Sequence, residues 1–409
     1  MRNIALNLAM GIAALLCLSI IAGATDKQTI LYSFKGKGDG AGPESALVSD
    51  AAGNLYGTTY HGGSSCDCGT AFELSPNSGG GWTKTILHIF TEGNDGAWPF
   101  GALVLDSNGN LFGETVVGGP ADSGTVFELS PNSTGGWTET ILYAFKGAPD
   151  GREPSGGLVF DASGNLYGTT FYGGTGNSVN CISIFGCGTA FELSPSAGGW
   201  IETVLYDFTA STDGNWPSCA LIIDNSGNLY GTASRGGNYG AGTVFQLSPS
   251  SDGWTFAALY SFTDASGEGQ DPEAGLLLDH VGNLYGTTVY SVGGNGAVFE
   301  LSPPSTGTIW QETVLHNFTN NDGYLPHSGL IMDRWGNIYG TTRGLGFGPA
   351  TAFKLTHSST GWAFGVLHNL PGDSWAPLIR DSAGNLYGTT QNGGIRSGSG
   401  TVFELSPVR

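Results

Sequence analysis

The sequence predicts an all-β protein, specifically a seven-bladed β-propeller with four antiparallel strands in each blade. Three observations predict it: a phrase that recurs seven times, four strand-like runs in each repeat, and chain ends that carry complementary parts of one repeat. A recurrence at this spacing, 48 to 63 residues, indicates one structural unit copied in tandem. The phrase Gly-Asn-Leu-Tyr-Gly-Thr-Thr, or a close variant, begins at Gly53, Gly109, Gly164, Gly227, Gly282, Gly336 and Gly384.

Each repeat contains four short apolar runs in the same order. In the first repeat these runs are 46–50, 54–59, 70–76 and 85–90. They are rich in Val, Ile, Thr, Tyr and Phe and are bounded by Gly, Pro, Asn and Ser, which is typical of strands. Four antiparallel strands repeated seven times predict the blades of a propeller.

The two ends of the chain predict a closed ring. Residues 29–34 match the fourth run and precede the first complete repeat, whereas 401–407 match the third run and no fourth run follows. These fragments complete one blade only if the N-terminal strand joins the three strands at the end of the chain. Such closure would remove an exposed strand edge, which otherwise promotes aggregation.

The first residues of the chain are typical of a secretory signal peptide. Arg2 gives a positive start, 12–21 is apolar, and 22–24 reads Ala-Gly-Ala, which suits cleavage. An uncleaved anchor is the alternative. We expect a signal peptide at 1–24 and a single propeller domain at 25–409. The mature protein would be a monomer, secreted from a bacterium or held in its periplasm, without membrane insertion.

The net charge of the chain limits the classes of molecule that it is expected to bind. The formal net charge is −20, with only 14 Lys and Arg residues. Nucleic acids and anionic membrane surfaces bind proteins through basic patches, so we expect neither as a partner. The acidic balance indicates solubility of an exported protein, or alternatively attraction of cations or basic ligands. The sequence contains no nucleophile elbow, zinc-protease helix or phosphate-binding loop, so no catalytic residues are predicted.

Two cysteine pairs occur in equivalent loops between second and third strands. In an exported chain Cys181 and Cys187 should form a disulfide. A bond between Cys66 and Cys68 would be tight, so that pairing is left open. Cys219 lies beside a first-strand run and is predicted to be a buried free thiol. Zinc binding is the alternative for the pairs, but they lie on blades that are not adjacent.

The motifs resemble the GloVer tandem repeat of choice-of-anchor secreted bacterial proteins. The resemblance covers essentially the whole mature chain and rests on Gly-Asn-Leu-Tyr-Gly-Thr-Thr, Gly-Thr-Val-Phe-Glu-Leu-Ser-Pro, Gly-Trp, Leu-Tyr-x-Phe and Asp-Gly-x-x-Pro. It implies export and, in many members, a C-terminal surface anchor. It implies no activity, so it assigns no functional residue.

One face of the predicted ring should carry any ligand site. The loops from second to third strands meet there with the crossovers that lead to the next blade. Repeated Asp-Gly loops on this face could form a ring of carboxylates that holds a hard cation such as Ca²⁺. The alternative is a set of local Asx turns, and no other cofactor is expected. The carboxylates are Asp39, Asp95, Asp150, Asp213 and Asp322, with Asp271 and Asp373 in variant settings.

Residues that break the sevenfold repetition on this face are the candidates for ligand binding. Aromatic side chains suit stacking on sugar rings, although packing between blades is the alternative. Three arginines favour an acidic or uronate-containing glycan, unless each arginine pairs with a nearby aspartate. The candidates are Tyr60, His61, Trp98, Arg152, Phe171, Tyr172, Trp216, Arg235, Tyr290, Tyr324, His327, Arg343 and Trp375.

These observations predict a binding or surface-interaction propeller for an extracellular carbohydrate or small ligand. One alternative is an extracellular propeller enzyme that acts on glycans, and another is a structural protein of the cell envelope. The enzyme hypothesis is favoured if polar side chains of different types lie within hydrogen-bond distance of one another. The side chains in question are His61, Arg152, Glu153, Arg235, His327 and Arg343.

Overall fold

Seven antiparallel sheets form a ring, so the predicted seven-bladed β-propeller is confirmed. A computed structural model describes residues 26–175, 181, 185–263, 269–291, 293–346, 348–394 and 398–407. The predicted signal peptide lies outside these residues. Within them, the helical elements are two short 3-10 turns, Lys37–Asp39 and Gly93–Asp95.

Each blade contains, from the axis of the ring outward, an innermost, a second, a third and an outermost strand. Blade 1 comprises Val48–Ser49, Leu55–Thr59, Thr70–Pro76 and Trp82–Ile89; blade 2, Val104–Leu105, Leu111–Val117, Thr125–Pro131 and Trp137–Ala144; blade 3, Val159–Phe160, Leu166–Gly173, Thr189–Ser196 and Gly199–Asp207. Blade 4 comprises Ile222–Ile223, Leu229–Ala233, Thr243–Ser250 and Gly253–Ser261; blade 5, Leu277–Leu278, Leu284–Thr288, Ala297–Ser302 and Gln311–Asn317. Blade 6 comprises Ile331–Met332, Ile338–Thr341, Thr351–Ser358 and Gly361–Asn369; blade 7, Ile379–Arg380, Leu386–Thr390, Thr401–Ser406 and Lys27–Ser33. Two crossover segments, Ala97–Pro99 and Gly151–Pro154, also pair with the second strands of blades 2 and 3.

The ring closes as the chain ends predict. The N-terminal strand Lys27–Ser33 pairs antiparallel with Thr401–Ser406, so that Lys27 lies opposite Ser406 and Ser33 opposite Thr401. Blade 7 therefore combines one strand from the start of the chain with three from its end. This pairing covers the edge of Thr401–Ser406, which would otherwise be exposed at the seam.

An aspartate organises the hairpin between the innermost and second strands. In blade 1, Asp50 Oδ1 accepts hydrogen bonds from the backbone N–H groups of Ala52 and Asn54, both at 2.9 Å. Its Oδ2 accepts from Asn54 Nδ2 at 2.7 Å and from the Tyr56 hydroxyl at 3.1 Å. Burial opposes ionisation, but these bonds outweigh it and hold the pKa of Asp50 below its usual range. The equivalent aspartates are Asp106, Asp161, Asp224, Asp279, Asp333 and Asp381.

The hydrophobic core is divided among the boundaries between neighbouring blades. At the boundary of blades 1 and 2, Phe90 meets Phe127 edge-to-face with ring centroids 5.2 Å apart, and both are fully buried. Within blade 1 the Phe72 ring lies over Gly57, where an added Cβ would come within 2.9 Å of the ring. The repeated glycine of the second strand therefore makes room for the repeated phenylalanine of the third.

Candidate functional site: a central funnel

A cavity of about 750 Å³ lies at the centre of the ring, on the face where second strands lead to third strands. We term this cavity the funnel. Every blade contributes one side chain to its wall from the same repeat position, which directly follows a proline in blades 1 to 6. These seven rim residues are Glu44, Phe100, Ser155, Ser218, Glu273, His327 and Trp375.

The chain reaches the funnel through a strained turn. The residue before the proline has a positive φ, 60° at Trp98 and 59° at Trp216. This conformation is unusual before proline and costs a non-glycine residue roughly 1–3 kcal/mol. Hydrogen bonds to the preceding blade hold it, since the Trp98 N–H donates to the Cys68 carbonyl at 2.8 Å and the Trp216 N–H to the Cys187 carbonyl at 2.9 Å.

Disulfides support both of these carbonyls. Cys66 is bonded to Cys68 and Cys181 to Cys187, so the predicted bond is confirmed and the pairing left open is also present. The two bonds lie in the second-to-third-strand loops of blades 1 and 3, next to the turns that place Trp98 and Trp216. Cys219 is a buried free thiol, as predicted.

Stacked rings line one side of the funnel, which we term the aromatic half. Tyr60 stacks on Trp98 with centroids 5.8 Å apart and planes at 16°. Phe171 stacks on Trp216 at 5.5 Å and 15°. In each pair the first ring lines the funnel and the tryptophan supports it from the next blade. Phe100 adds a third ring, edge-on to Tyr60 at 6.0 Å.

A polar network lines the opposite side, which we term the charged half. Glu273 Oε2 lies 2.7 Å from His327 Nδ1, and Arg343 Nη1 lies 3.2 Å from His327 Nε2. Because the guanidinium can only donate, His327 accepts at Nε2 and donates from Nδ1 to the carboxylate. The Arg343 guanidinium also lies 3.4 Å from the Trp375 ring centroid.

The network continues to the seam of the ring. Trp375 Nε1 donates to Gln391 Oε1 at 3.0 Å, and Gln391 Nε2 donates to Glu44 Oε1 at 2.7 Å. Burial raises the pKa of Glu44, although Gln391, His61 and Arg343 oppose the shift. Burial, together with the nearby Glu44 and Glu153 carboxylates, raises the pKa of Tyr60 across the funnel. The site therefore combines apolar ring faces with fixed donors and acceptors.

Two of the three predicted arginines are already engaged with carboxylates. Arg152 Nε lies 3.3 Å from Glu153, and Arg235 Nη2 lies 2.8 Å from Asp271, whose side chain is 2% exposed. Burial raises the pKa of Asp271 to about 6 even though Arg235 opposes the shift. These pairs match the alternative in which arginines neutralise nearby acids rather than bind a ligand.

The structure gathers many of the predicted site residues at the funnel. Tyr60, His61, Phe171, His327 and Trp375 line it, and Trp98, Trp216 and Arg343 contact lining side chains. Arg152, Tyr172, Arg235, Tyr290 and Tyr324 lie on the same face outside its wall.

Sequence reasoning missed several residues that line the funnel, and four of them supply charged, amide or aromatic side chains to its two halves: Glu44, Phe100, Glu273 and Gln391. The signal was available, because three of them occupy the repeat position after the proline. Gln391 occupies the position after the Thr-Thr phrase, where Tyr60 stands in blade 1. Comparing the repeats position by position would have found them.

The Asp-Gly loops form local turns, which the sequence offered as the alternative to a ring of carboxylates around the channel. In blade 1, Asp95 Oδ2 accepts from the Thr91 N–H at 2.6 Å, and its Oδ1 lies 2.8 Å from His88. Local N–H groups likewise satisfy the other aspartates, and none of the five lines the funnel. The loops adopt local turns because a carboxylate five or six residues after the strand lies within reach of its own backbone N–H groups. The other four are Asp39, Asp150, Asp213 and Asp322.

The repeat that builds this face also defines the family. The chain matches the Gloeobacter/Verrucomicrobia repeat over residues 18–182, 138–348 and 269–409. It belongs to this family. The predicted membership in a tandem-repeat family is thereby confirmed, whereas the choice-of-anchor association and the GloVer name stay predictions. No protein of curated function matches the sequence.

Solved structures resemble the fold at low identity. One is PorZ, a surface component of the type-IX secretion system of Porphyromonas gingivalis, with a TM-score of 0.53, 14% identity, and coverage of 92% of this chain and 48% of PorZ. The chain thus spans about half the length of PorZ, and the likeness shows the fold alone. Another is a putative glucose dehydrogenase from Thermus thermophilus, with a TM-score of 0.46, 15% identity, and coverage of 93% of this chain and 99% of that one.

Proposed function

We propose that the protein is an extracellular binding propeller whose funnel holds a carbohydrate. The observation that carries the proposal is the pairing of stacked rings on one side of the cavity with a hydrogen-bonding network on the other. A sugar ring has an apolar C–H face that packs on an aromatic ring and hydroxyl groups that both donate and accept hydrogen bonds. Tyr60 and Phe171 supply the ring faces, and Glu273, Gln391 and Glu44 supply acceptors and donors.

The charge distribution favours a neutral glycan over the uronate expected from the sequence. Arg152 and Arg235 have carboxylate partners, so neither offers a free guanidinium. Arg343 interacts electrostatically with Asp373, Glu273 and Glu44, and the last two carboxylates line the cavity. An anionic ligand would meet two carboxylates for one guanidinium, whereas hydroxyl groups can bond to either charge.

The two disulfides support an extracellular location, because such bonds persist in an oxidising compartment. Within the described part of the chain, no helix has the length and apolar character needed to cross a membrane. PorZ, which shares the fold, is a bacterial surface component. We propose that this protein also works outside the cytoplasm.

A glycan-array screen tests the proposal. The purified protein should retain neutral glycans, and Trp375→Ala should lose that retention because it removes a rim ring and the support of Arg343. Trp335→Ala is the matched control, because Trp335 is 62% exposed beside the hairpin of blade 6, away from the funnel. Equal retention by wild type and Trp375→Ala would place binding elsewhere, and no retention by wild type would refute a glycan ligand.

Hydrolysis of a bound glycan is the second candidate. The observation that favours it is that two carboxylates, Glu44 and Glu273, line one cavity, and that burial raises the pKa of Glu44, as a general acid requires. Against it, the six polar residues proposed as a test do not form one cluster. Arg152 pairs with Glu153 and Arg343 with His327, whereas His61 and Arg235 contact Asp67 and Asp271. Release of reducing sugar from an array-positive glycan, abolished by Glu273→Gln, would establish the enzyme.

A further inference from the structure

Several boundaries between neighbouring blades repeat one arrangement near the outer rim of the funnel face. A tyrosine or histidine near the end of an outermost strand contacts the aspartate of the following Asp-Gly loop. A side chain from the next blade's outermost strand then lies beside that pair. At the boundary of blades 7 and 1, the Tyr32 hydroxyl donates to Asp39 Oδ1 at 2.7 Å, and Lys84 Nζ lies 3.2 Å from the same oxygen.

At that boundary, the side chain from the next blade's outermost strand is a cation, Lys84. The Lys84 side chain is only 4% exposed, and its ammonium group also donates to the Asp39 main-chain carbonyl. It lies 4.9 Å from the Phe34 ring centroid. A buried ammonium group needs partners of this kind, so the position is built to hold positive charge beside the aspartate.

The next boundary, between blades 1 and 2, has the same architecture with different side chains. His88 stands where Tyr32 stands, Asp95 is the loop aspartate, and Glu139 replaces the lysine. His88 Nε2 lies 2.8 Å from Asp95 Oδ1 and 3.6 Å from Glu139 Oε1. All three potential ligand atoms lie within 4.8 Å of one another. The position that holds a cation at the first boundary thus has two carboxylates and an imidazole around it.

We propose that His88, Asp95 and Glu139 bind a divalent transition-metal ion of the zinc type between blades 1 and 2. Nitrogen and oxygen ligands about 2.0–2.2 Å from zinc lie roughly 3.0–3.6 Å from each other. The His88–Glu139 separation of 3.6 Å lies within this range, whereas the His88–Asp95 separation of 2.8 Å is that of a hydrogen bond and would lengthen slightly when the metal replaces the shared proton. An imidazole ligand favours zinc and its neighbours over calcium and magnesium, which prefer oxygen. Each side chain is partly exposed, so water can complete the coordination.

The surroundings orient the three ligands. Asp95 Oδ2 accepts from the Thr91 N–H at 2.6 Å and from the Thr91 hydroxyl at 2.7 Å, which leaves Oδ1 directed at His88. The His88 ring packs edge-on to Phe90 at 4.8 Å. Glu139 Oε1 is shielded from solvent and accepts no hydrogen bond from the described residues. Outer contacts of this kind fix ligands at metal sites.

A second boundary with a histidine at this position shows the same arrangement without the third ligand. Between blades 5 and 6, His316 Nε2 lies 3.2 Å from Asp322 Oδ2. The third position there is Phe364, which stacks on the imidazole with centroids 3.6 Å apart. Across the part of the chain that the structure describes, only the boundary of blades 1 and 2 brings three such ligands together. His316 therefore supplies a matched control.

Titration calorimetry with ZnCl₂ tests the proposal on the purified full chain after chelator treatment, near pH 7. We expect one zinc ion per chain in wild type and in His316→Tyr. His88→Tyr and Glu139→Gln should bind at least tenfold more weakly. His88→Tyr installs the residue that Tyr32 and Tyr143 provide at other boundaries, so it should fold, and melting in chelator verifies this.

A second variant tests the charge argument. Glu139→Lys introduces the lysine that the boundary of blades 7 and 1 has at this position. The variant should not bind zinc, and in the presence of chelator its melting temperature should be no lower than that of the wild type. Zinc affinity unchanged in His88→Tyr would overturn the proposal, as would equal loss in His88→Tyr and His316→Tyr. Absence of saturable zinc binding to wild type, or tighter binding of CaCl₂ than of ZnCl₂, would also overturn it.

Discussion

The two faces of the propeller use the same repeat in opposite ways. On the hairpin face, an aspartate in each blade accepts hydrogen bonds from the asparagine four residues later. On the funnel face, the seven rim positions hold Glu, Phe, Ser, His and Trp. Residues that build the blade are constant because every blade needs them, whereas residues that face a shared cavity are free to differ. The difference supports the proposal that the funnel is the recognition site.

The largest expected effect comes from breaking the ring itself. Deleting residues 25–36 removes the strand that pairs with Thr401–Ser406 and leaves an open edge on blade 7. The truncated protein should aggregate or lose most of its cooperative unfolding, as measured by light scattering and calorimetry. The control Lys27→Ala changes an exposed residue of the same strand and should alter stability by no more than about 0.5 kcal/mol. A monomeric truncation with unchanged melting would contradict closure.

A hairpin aspartate should matter more to stability than a funnel residue of the same blade. Asp224 accepts from the N–H groups of Ser226 and Asn228, from Asn228 Nδ2 and from the Tyr230 hydroxyl, at 2.8–3.0 Å. Asp224→Ala leaves these donors without an acceptor and should reduce the free energy of unfolding by about 1–3 kcal/mol. Ser218→Ala, on the funnel rim, should change it by about 0.5 kcal/mol or less. Urea denaturation measures both, and equal losses would remove the contrast between the faces.

Loss of the blade 3 disulfide should lower both the stability of the fold and the glycan affinity of the aromatic half. Replacing Cys181 and Cys187 by serine opens a short loop and should lower stability by about 2 kcal/mol. Because the Cys187 carbonyl holds Trp216, glycan affinity should fall as well. The matched variant with Cys66 and Cys68 replaced should act on Trp98 in the same way. Peptide mass spectrometry that finds both blade 3 thiols free in exported protein would contradict this account.

The smallest expected effect is an acid dependence of stability. Hydrogen bonds hold the pKa of Asp224 below its usual range although burial opposes them. A carboxyl whose pKa is lower in the folded state stabilises the protein above the unfolded pKa of about 4, and that contribution disappears as pH falls through the folded pKa. Urea midpoints should therefore fall below about pH 4, and Asp224→Asn should weaken this dependence. An identical pH profile in wild type and Asp224→Asn would count against the hairpin argument.

The sequence predicted the architecture well because each blade is locally encoded. The run Asn54 to Thr59, the hairpin Asp50 and the orphan strands at the chain ends are readable without knowing any long-range contact. The site was only half predictable, because its contacts join different blades. Nothing near Arg235 in the sequence shows that its partner is Asp271, and nothing near Glu273 shows that it meets His327. Such pairs depend on how far each proline turn carries the chain toward the axis.

The most direct test of the contrast between the faces measures glycan affinity and unfolding together in two variants. Phe171→Ala removes a ring that lines the aromatic half, and Asp224→Ala removes a hairpin acceptor. With the glycan found on the array, Phe171→Ala should bind at least tenfold more weakly, about 1.4 kcal/mol, and melt close to wild type. Asp224→Ala should melt lower and bind normally below its melting temperature. Normal glycan affinity in Phe171→Ala would contradict the assignment of recognition to the funnel.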